Sequence, residues 1–323
     1  MSVPKMIVVI YFRYVEVFNF IKCGIPFMLW HERNFSILFY HDWKKLSRGN
    51  FMFLLSHKKS RTDLPQTPVV INQNIRSRTI RIKESLERFC QKNPDHEKAK
   101  RMLSNYTKAE KGESLTLAAL RRVPFPMLII QDYSFKYGDI STQIDFLVIT
   151  ETYFFVIDSK WRSGNYKLDN HGEFINVGYQ KRESDPIAQN QEHIEYLKKI
   201  LADIPLKLNE RFQNIVVWAN EESVVDRSEA SQETASKIIY VRQIVSHISS
   251  ILENKEKLKK LTPEKMQSIA DFLTGYSEGH PIQYICPVCG GHLEKRTSQL
   301  HNSTFWGCKN FCLKNCYYIE TVE

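Results

Sequence analysis

The chain has 323 residues, 42% of them apolar, enough for one full-sized domain and a small one around a buried core. Its formal net charge is +9, and between Arg61 and Lys111 twelve Lys or Arg face six Asp or Glu, a balance that suits a polyanionic partner or a solvated helix face. No apolar run approaches the roughly 18–20 uncharged residues of a membrane span. Arg13, Glu16, Lys22, Glu32 and Lys44 interrupt the N-terminal stretches, so neither a transmembrane helix nor a cleavable signal peptide is expected.

Residues 1–66 are rich in aromatic and β-branched side chains but hold no sustained period of 2 or 3.6, so they are set apart as an extension without an assigned role. A peripheral β/α extension, a membrane-surface segment and an upstream start codon all remain open for them. Pro65 and Pro68 punctuate the chain, a helical pattern follows from Ile75 to Phe89, and Asn93-Pro94-Asp95 breaks it. Thr107-Lys-Ala-Glu110 has the form of a capping box and predicts a second helix from about Thr107 that ends before Pro124. Two runs dense in Ile, Val, Phe and Tyr, Gln143 to Thr150 and Tyr153 to Lys160, flank Glu151-Thr152 and predict a β-hairpin. Asp185-Pro186 opens a helix to about Leu201, Asn214 to Trp218 and Lys237 to Val241 read as strands, and Gly275 to Pro281 reads as a linker.

The hairpin holds an anomaly, because Asp145, Asp158 and Lys160 sit in otherwise apolar strands and buried charges are costly unless paired or bound to metal. If Glu151 and Thr152 form a two-residue turn, cross-strand partners sum to 303 and Asp145 faces Asp158, with Cβ atoms about 5 Å apart. Lys160, two residues on, returns to the face of Asp158. Paired carboxylates with open positions suit Mg²⁺ or Mn²⁺, and a metal with a nearby ammonium is the equipment of phosphodiester hydrolysis. A structural Asp–Lys pair at the hairpin's end is the plainer alternative.

The stretch from Gln143 to Lys160, with Ile-Asp-Phe-Leu-Val-Ile and then Phe-Phe-Val-Ile-Asp-Ser-Lys-Trp, resembles the nuclease-related domain, NERD, of the PD-(D/E)xK superfamily. The resemblance runs from about Lys108 to Trp218. It implies an α/β fold with a restriction-endonuclease-like central mixed sheet flanked by helices. It also implies Asp145 and Asp158 as metal ligands and Lys160 as the catalytic lysine. Many relatives carry glutamate where Asp158 stands. Gly112-Glu113 resembles the family's Gly-Glu element, whose glutamate assists metal or water positioning; by itself, a first-turn glutamate is a helix-dipole partner. Asp185-Pro-Ile-Ala-Gln189 resembles the family's proline-then-glutamine helix, in which Gln189 bonds the lysine or a phosphate oxygen, or else simply faces water.

Five of the seven cysteines fall in the last 38 residues, while Cys23 and Cys90 stand alone, a distribution that points to metal and a cytoplasmic setting rather than a disulfide framework. Cys286-Pro-Val-Cys289, then Cys308 and a late cysteine predict a structural Zn²⁺ ribbon over residues 280–323, after a nuclease-like domain over 67–279. Phe305-Trp-Gly-Cys308-Lys-Asn-Phe resembles the C-terminal ribbons of bacterial type I topoisomerases. That likeness implies DNA binding, single strands included, and favours Cys316 over Cys312 as fourth ligand. The chain therefore reads as a Mg²⁺- or Mn²⁺-dependent deoxyribonuclease with DNA-processing proteins as further candidate partners. The alternative is a catalytically weak nucleic-acid-binding adaptor.

Overall fold

The computed structural model describes residues 68–72, 76–204, 206, 208–254, 258–298, 302–311 and 316–321. The 1–66 extension, Cys23 and Cys312 lie outside them. Residues 61–323 form one compact unit. In chain order its first elements are β1 (Val69–Val70), α1 (Arg78–Lys92), α2 (Glu97–Leu120), β2 (Met127–Tyr137), β3 (Ile140–Thr150), β4 (Phe154–Lys160), β5 (Tyr166–Leu168), β6 (Phe174–Asn176) and β7 (Lys181–Glu183). There follow α3 (Pro186–Ile200), β8 (Phe212–Trp218), β9 (Val225–Asp226), α4 (Gln232–Ser236), β10 (Ile238–Tyr240), α5 (Ile244–Glu253), α6 (Pro263–Gly279), β11 (Leu293–Ser298), β12 (Ser303–Cys308) and β13 (Ile319–Thr321).

The central sheet is mixed, in the order β1-β2-β3-β4-β8-β10. β2, β3 and β4 run antiparallel in succession, and β8 and β10 continue parallel to β4. Both faces are apolar, which is why β4 reads as a continuous hydrophobic run rather than an alternating one. On one face Leu128, Ile130, Leu147, Ile149, Phe154 and Val156 meet Ile194 and Leu197 of α3 and Met266, Ile269 and Leu273 of α6. On the other, Ile129, Phe146, Val148, Phe155 and Ile157 meet Ala119 and Leu120 of α2 and Ile244 and Ile248 of α5. Each such side chain contributes about 1.5–3 kcal/mol on leaving water.

A smaller sheet, β7-β6-β5-β9, covers the end of β8, where Trp218 stacks on Phe174 with centroids 6.1 Å apart and takes the edge of Tyr166 at 5.1 Å. The third sheet, β11-β12-β13, is antiparallel and packs Val288, Leu293 and Tyr318 against Ile82, Leu86 and Phe89 of α1. Among the described residues no helix is long and apolar enough to cross a membrane.

Several sequence expectations change. The second helix starts at Glu97, capped by His96, whose Nδ1 accepts from the Ala99 N–H at 3.1 Å. The Thr107 hydroxyl bonds back to the Leu103 carbonyl at 2.9 Å inside the helix instead of capping one, because residues 97–106 are themselves good helix formers. Gly275 lies within α6 rather than in a linker. The helix runs on to Gly279 because its end is tied down, the Lys136 N–H donating to the His280 carbonyl at 2.8 Å and the Tyr276 and His280 rings stacking at 4.0 Å. β2 and the three short strands β5–β7 were not expected.

Candidate active site and cysteine cluster

The hairpin closes at Thr150, whose N–H donates to the Tyr153 carbonyl at 3.0 Å around the two-residue turn Glu151-Thr152. Pairing runs from Ile149↔Phe154 to Phe146↔Ile157, so the register is the one with partners summing to 303, and Asp145 comes next, opposite Asp158. There the ladder gives way to side chains. The Ser159 N–H donates to Asp145 Oδ2 at 2.7 Å, and Lys160 Nζ donates to Asp158 Oδ1 at 2.8 Å. Asp158 is buried, and its Oδ2 has no hydrogen-bond partner.

A third acidic residue joins this row from β2. Gln131↔Phe146 and Tyr133↔Ile144 place Asp132 opposite Asp145, and Asp132 has φ 57, in the left-handed region that Asp tolerates better than most residues. Regular alternation breaks at the same row on both strands: Ile130 and Tyr133 share one core face, as do Ile144 and Leu147. The two strands thereby turn a row of carboxylates out of the apolar pattern. Asp132 escaped the sequence reading, although a charge inside an apolar run was the signal that singled out Asp145.

Glu113 reaches the site from α2. That helix begins sixteen residues earlier, at Glu97, so the glutamate is mid-helix and its role as a dipole partner falls away. Its Oε1 accepts from the Thr79 hydroxyl at 2.7 Å. Burial pushes Glu113 up to about 7; the Thr79 bond resists this, while the nearby charges of Asp132, Glu110 and Asp158 add to it. Asp145 keeps some exposed surface as a residue, but its carboxyl is held well above the usual range, first by burial and then by Asp158 and Glu113. Gly112 allows the close approach: a Cβ there would lie 3.2 Å from Ala219 Cβ and 3.3 Å from Ser159 Oγ, and Ser159 is already bonded to the Thr116 hydroxyl at 3.0 Å.

α3 closes the other side. Asp185 caps it, accepting from the Ile187 and Ala188 N–H groups, and Pro186 opens its first turn. Asn190 donates to the Val156 carbonyl at 2.6 Å and pins the helix to β4. His193 is buried beside Asp158 and Lys160 with its Nδ1 unpartnered; burial holds its pKa below the ordinary value, so the ring is neutral at pH 7. Gln189 is exposed in the first turn and makes no side-chain hydrogen bond to the described residues. Around the rim, Lys111 lies 4.4 Å above the Trp161 ring, and Arg162 pairs with Glu183 at 3.3 Å. Asp158 and Glu113 help to raise the Asp145 carboxyl, and Asp158 Oδ2 is buried without a partner; hard oxygen donors of this kind suit a divalent cation.

In the tail, Cys286, Cys289, Cys308 and Cys316 bring their sulfurs within 4.8 Å of one another, with Cys286–Cys316 at 3.7 Å and Cys289–Cys308 at 3.3 Å. Ligands about 2.3 Å from a tetrahedral Zn²⁺ lie roughly 3.8 Å apart, so the cluster is compatible with a zinc ribbon. Both halves present N–H groups to sulfur: Gly291 to Cys289 and Asn310 to Cys308, each at 3.4 Å. Gly290, at φ 76, supplies the left-handed turn after the first pair. Burial pushes the Cys316 thiol up to about 11 and also raises Cys286, whereas at Cys289 burial is outweighed by donation from Gly291 and Asn310, leaving the thiol at about 6. A bound cation relieves the cost of ionising the buried pair.

Residues 108–219 match the family model of NERD, the nuclease-related domain. The matched segment contains Glu113, Asp132, Asp145, Asp158, Lys160, Gln189 and His193. No curated protein and no solved structure matches the chain.

Proposed function

We propose that the nuclease-related segment hydrolyses phosphodiester bonds in DNA with Mg²⁺ or Mn²⁺, and that the C-terminal module is a zinc ribbon that aids nucleic-acid binding. The observation that carries the reading is Asp158 Oδ2, buried without a partner in a row of carboxylates that otherwise repel one another. Asp145 and Asp158 would hold the cation, and Glu113 would steady it or its water. When bound, the metal polarises a phosphoryl oxygen and lowers the pKa of an attacking water. Lys160 orients that water and offsets charge building on the phosphoryl oxygens. Lys111 and Arg162 line the approach of the phosphates, and Gln189 offers its amide to one of them. The free thiols of the ribbon suit a reducing compartment, the cytoplasm.

A groove between α1 and the ribbon supports the second half of the proposal. Phe89, Phe311, Tyr317 and Ile319 line a cavity of about 440 Å³ together with Arg88 and Lys92. Neither cation is ion-paired among the described residues, and Tyr317 is half exposed. Aromatic faces beside cations suit unstacked bases and their phosphates.

The test is incubation of the protein with labelled single- and double-stranded DNA in Mg²⁺, Mn²⁺ or EDTA. Cleavage is expected only with metal, falling about 10²-fold or more in Lys160→Ala, with little change in affinity. Binding without cleavage under every metal, with Lys160→Ala lowering only the salt dependence of binding, would instead establish the adaptor.

A further inference from the structure

We infer that Arg78 and Thr79, in the first turn of α1, are positioning residues through which the ribbon sets the geometry of the carboxylate site. The inference rests on the metal-binding reading of that site. It comes from four side chains and one backbone carbonyl that converge on two consecutive residues. The Arg78 N–H donates to Asp132 Oδ2 at 2.6 Å, and the Thr79 hydroxyl donates to Glu113 Oε1 at 2.7 Å. The Arg78 side chain leaves in the other direction, to the ribbon. Its Nε lies 3.7 Å from Glu320 Oε1 of β13, its guanidinium lies 4.5 Å from the Tyr284 ring centre, and its Nη2 donates to the Ile285 carbonyl at 3.4 Å.

The first-turn N–H groups of a helix have no partner within it and attract carboxylates, so α1 presents a ready donor to Asp132. With Asp132 held there and Glu113 held by the next residue, the two carboxylates flanking Asp145 and Asp158 are both placed by one helical turn. That turn does not float. Glu320 is fully buried and faces both Arg78 and Arg81 at 3.7 Å. Docking of α1 on the ribbon needs no such group, because Ile82, Leu86 and Phe89 already supply an apolar contact one to three turns further on. A buried ion pair adds little net stability but fixes geometry and punishes displacement. Here it pins the residue whose backbone holds Asp132 and whose neighbour holds Glu113, so a shift of the ribbon is passed to both carboxylates.

The experiment measures Mn²⁺ binding to the zinc-loaded full chain by electron paramagnetic resonance. Thr79→Val removes the donor to Glu113 at nearly constant volume and should weaken Mn²⁺ binding about 10-fold, with recovery in Thr79→Ser. Glu320→Gln, on the ribbon, should keep its zinc by thiol-reagent release assay and still weaken Mn²⁺ binding several-fold. Should that variant lose zinc, Arg78→Lys, which alters no ribbon residue, takes its place with the same expectation. Unchanged Mn²⁺ affinity in Thr79→Val and in the Arg78 or Glu320 variant, with Asp145→Asn losing the ion, overturns the inference and leaves the site reading standing. Absence of Mn²⁺ binding in the unaltered protein overturns both.

Discussion

Glu113 binds its proton more tightly in the fold than in the unfolded chain, with a pKa moved from 4.5 to about 7. A group of this kind contributes stability that is fully present below about pH 4.5 and is lost as pH rises through about 7. The amount at stake is at most about 3 kcal/mol. Asp145 is shifted in the same direction and adds to the trend. In EDTA, the urea midpoint should therefore fall between pH 4.5 and 7.5; Glu113→Gln should flatten the fall, and Mg²⁺ should restore stability at pH 7.5 by taking the place of the protons. A midpoint that rises over this range would show that the carboxylates are compensated by something other than protons or metal. Asp132 belongs to the same cluster but had no motif to announce it. Only the pairing of β2 with β3 brings it opposite Asp145, and that pairing joins runs on either side of a turn at Gly138, which the sequence pattern did not reveal.

At the scale of the element, the hairpin was legible because its turn is short and its strands are dense in β-formers, so the register followed from counting. The β5–β7 strands were not, since three residues give no period to detect; β5 and β6 are held by packing against Trp218, and β7 by pairing with β6. The start of α2 was misplaced because a capping motif is only a local offer, which a longer helix-forming run overrides. Gly112 carries a prediction of its own. In an open helix Gly→Ala would stabilise by up to about 1 kcal/mol. In α2 the new methyl meets Ala219 Cβ, fixed on the strand end, and Ser159 Oγ, held by Thr116, so neither neighbour yields easily. Gly112→Ala should therefore lower stability by about 1 kcal/mol net, and Gly112→Val by more, read from urea denaturation. A stabilised Gly112→Ala would mean that α2 lifts away from β4 at no cost.

For the whole molecule, the C-terminal module is not a pendant. Its buried Cys286, Cys308 and Cys316 share a core with Ile82, Leu86 and Phe89 of α1, so a metal held by these cysteines and the helix would stand or fall together. One zinc per chain is expected, retained in Cys312→Ser and lost in Cys316→Ser, as measured by elemental analysis. Its removal by chelator should expose the apolar face of α1 and raise the binding of a hydrophobic dye. Zinc kept in Cys316→Ser would hand the fourth position to Cys312, and chelation without dye binding would separate the helix from the ribbon's metal.

This shared core also sets an order of events during synthesis. Arg78 and the Ile285 carbonyl it bonds are 207 residues apart, and β13 lies further still along the chain. While the ribosome is making the central sheet, α1 has left it with Ile82, Leu86 and Phe89 able to meet Ala99 and Leu103 of α2 but still lacking the ribbon's side chains. Its final packing waits on the last cysteine, Cys316, and on the strand that follows. A chain released short of β13 would carry the central sheet with the α1 face only partly covered, a marker by which chaperones and proteases can tell an unfinished molecule from a finished one.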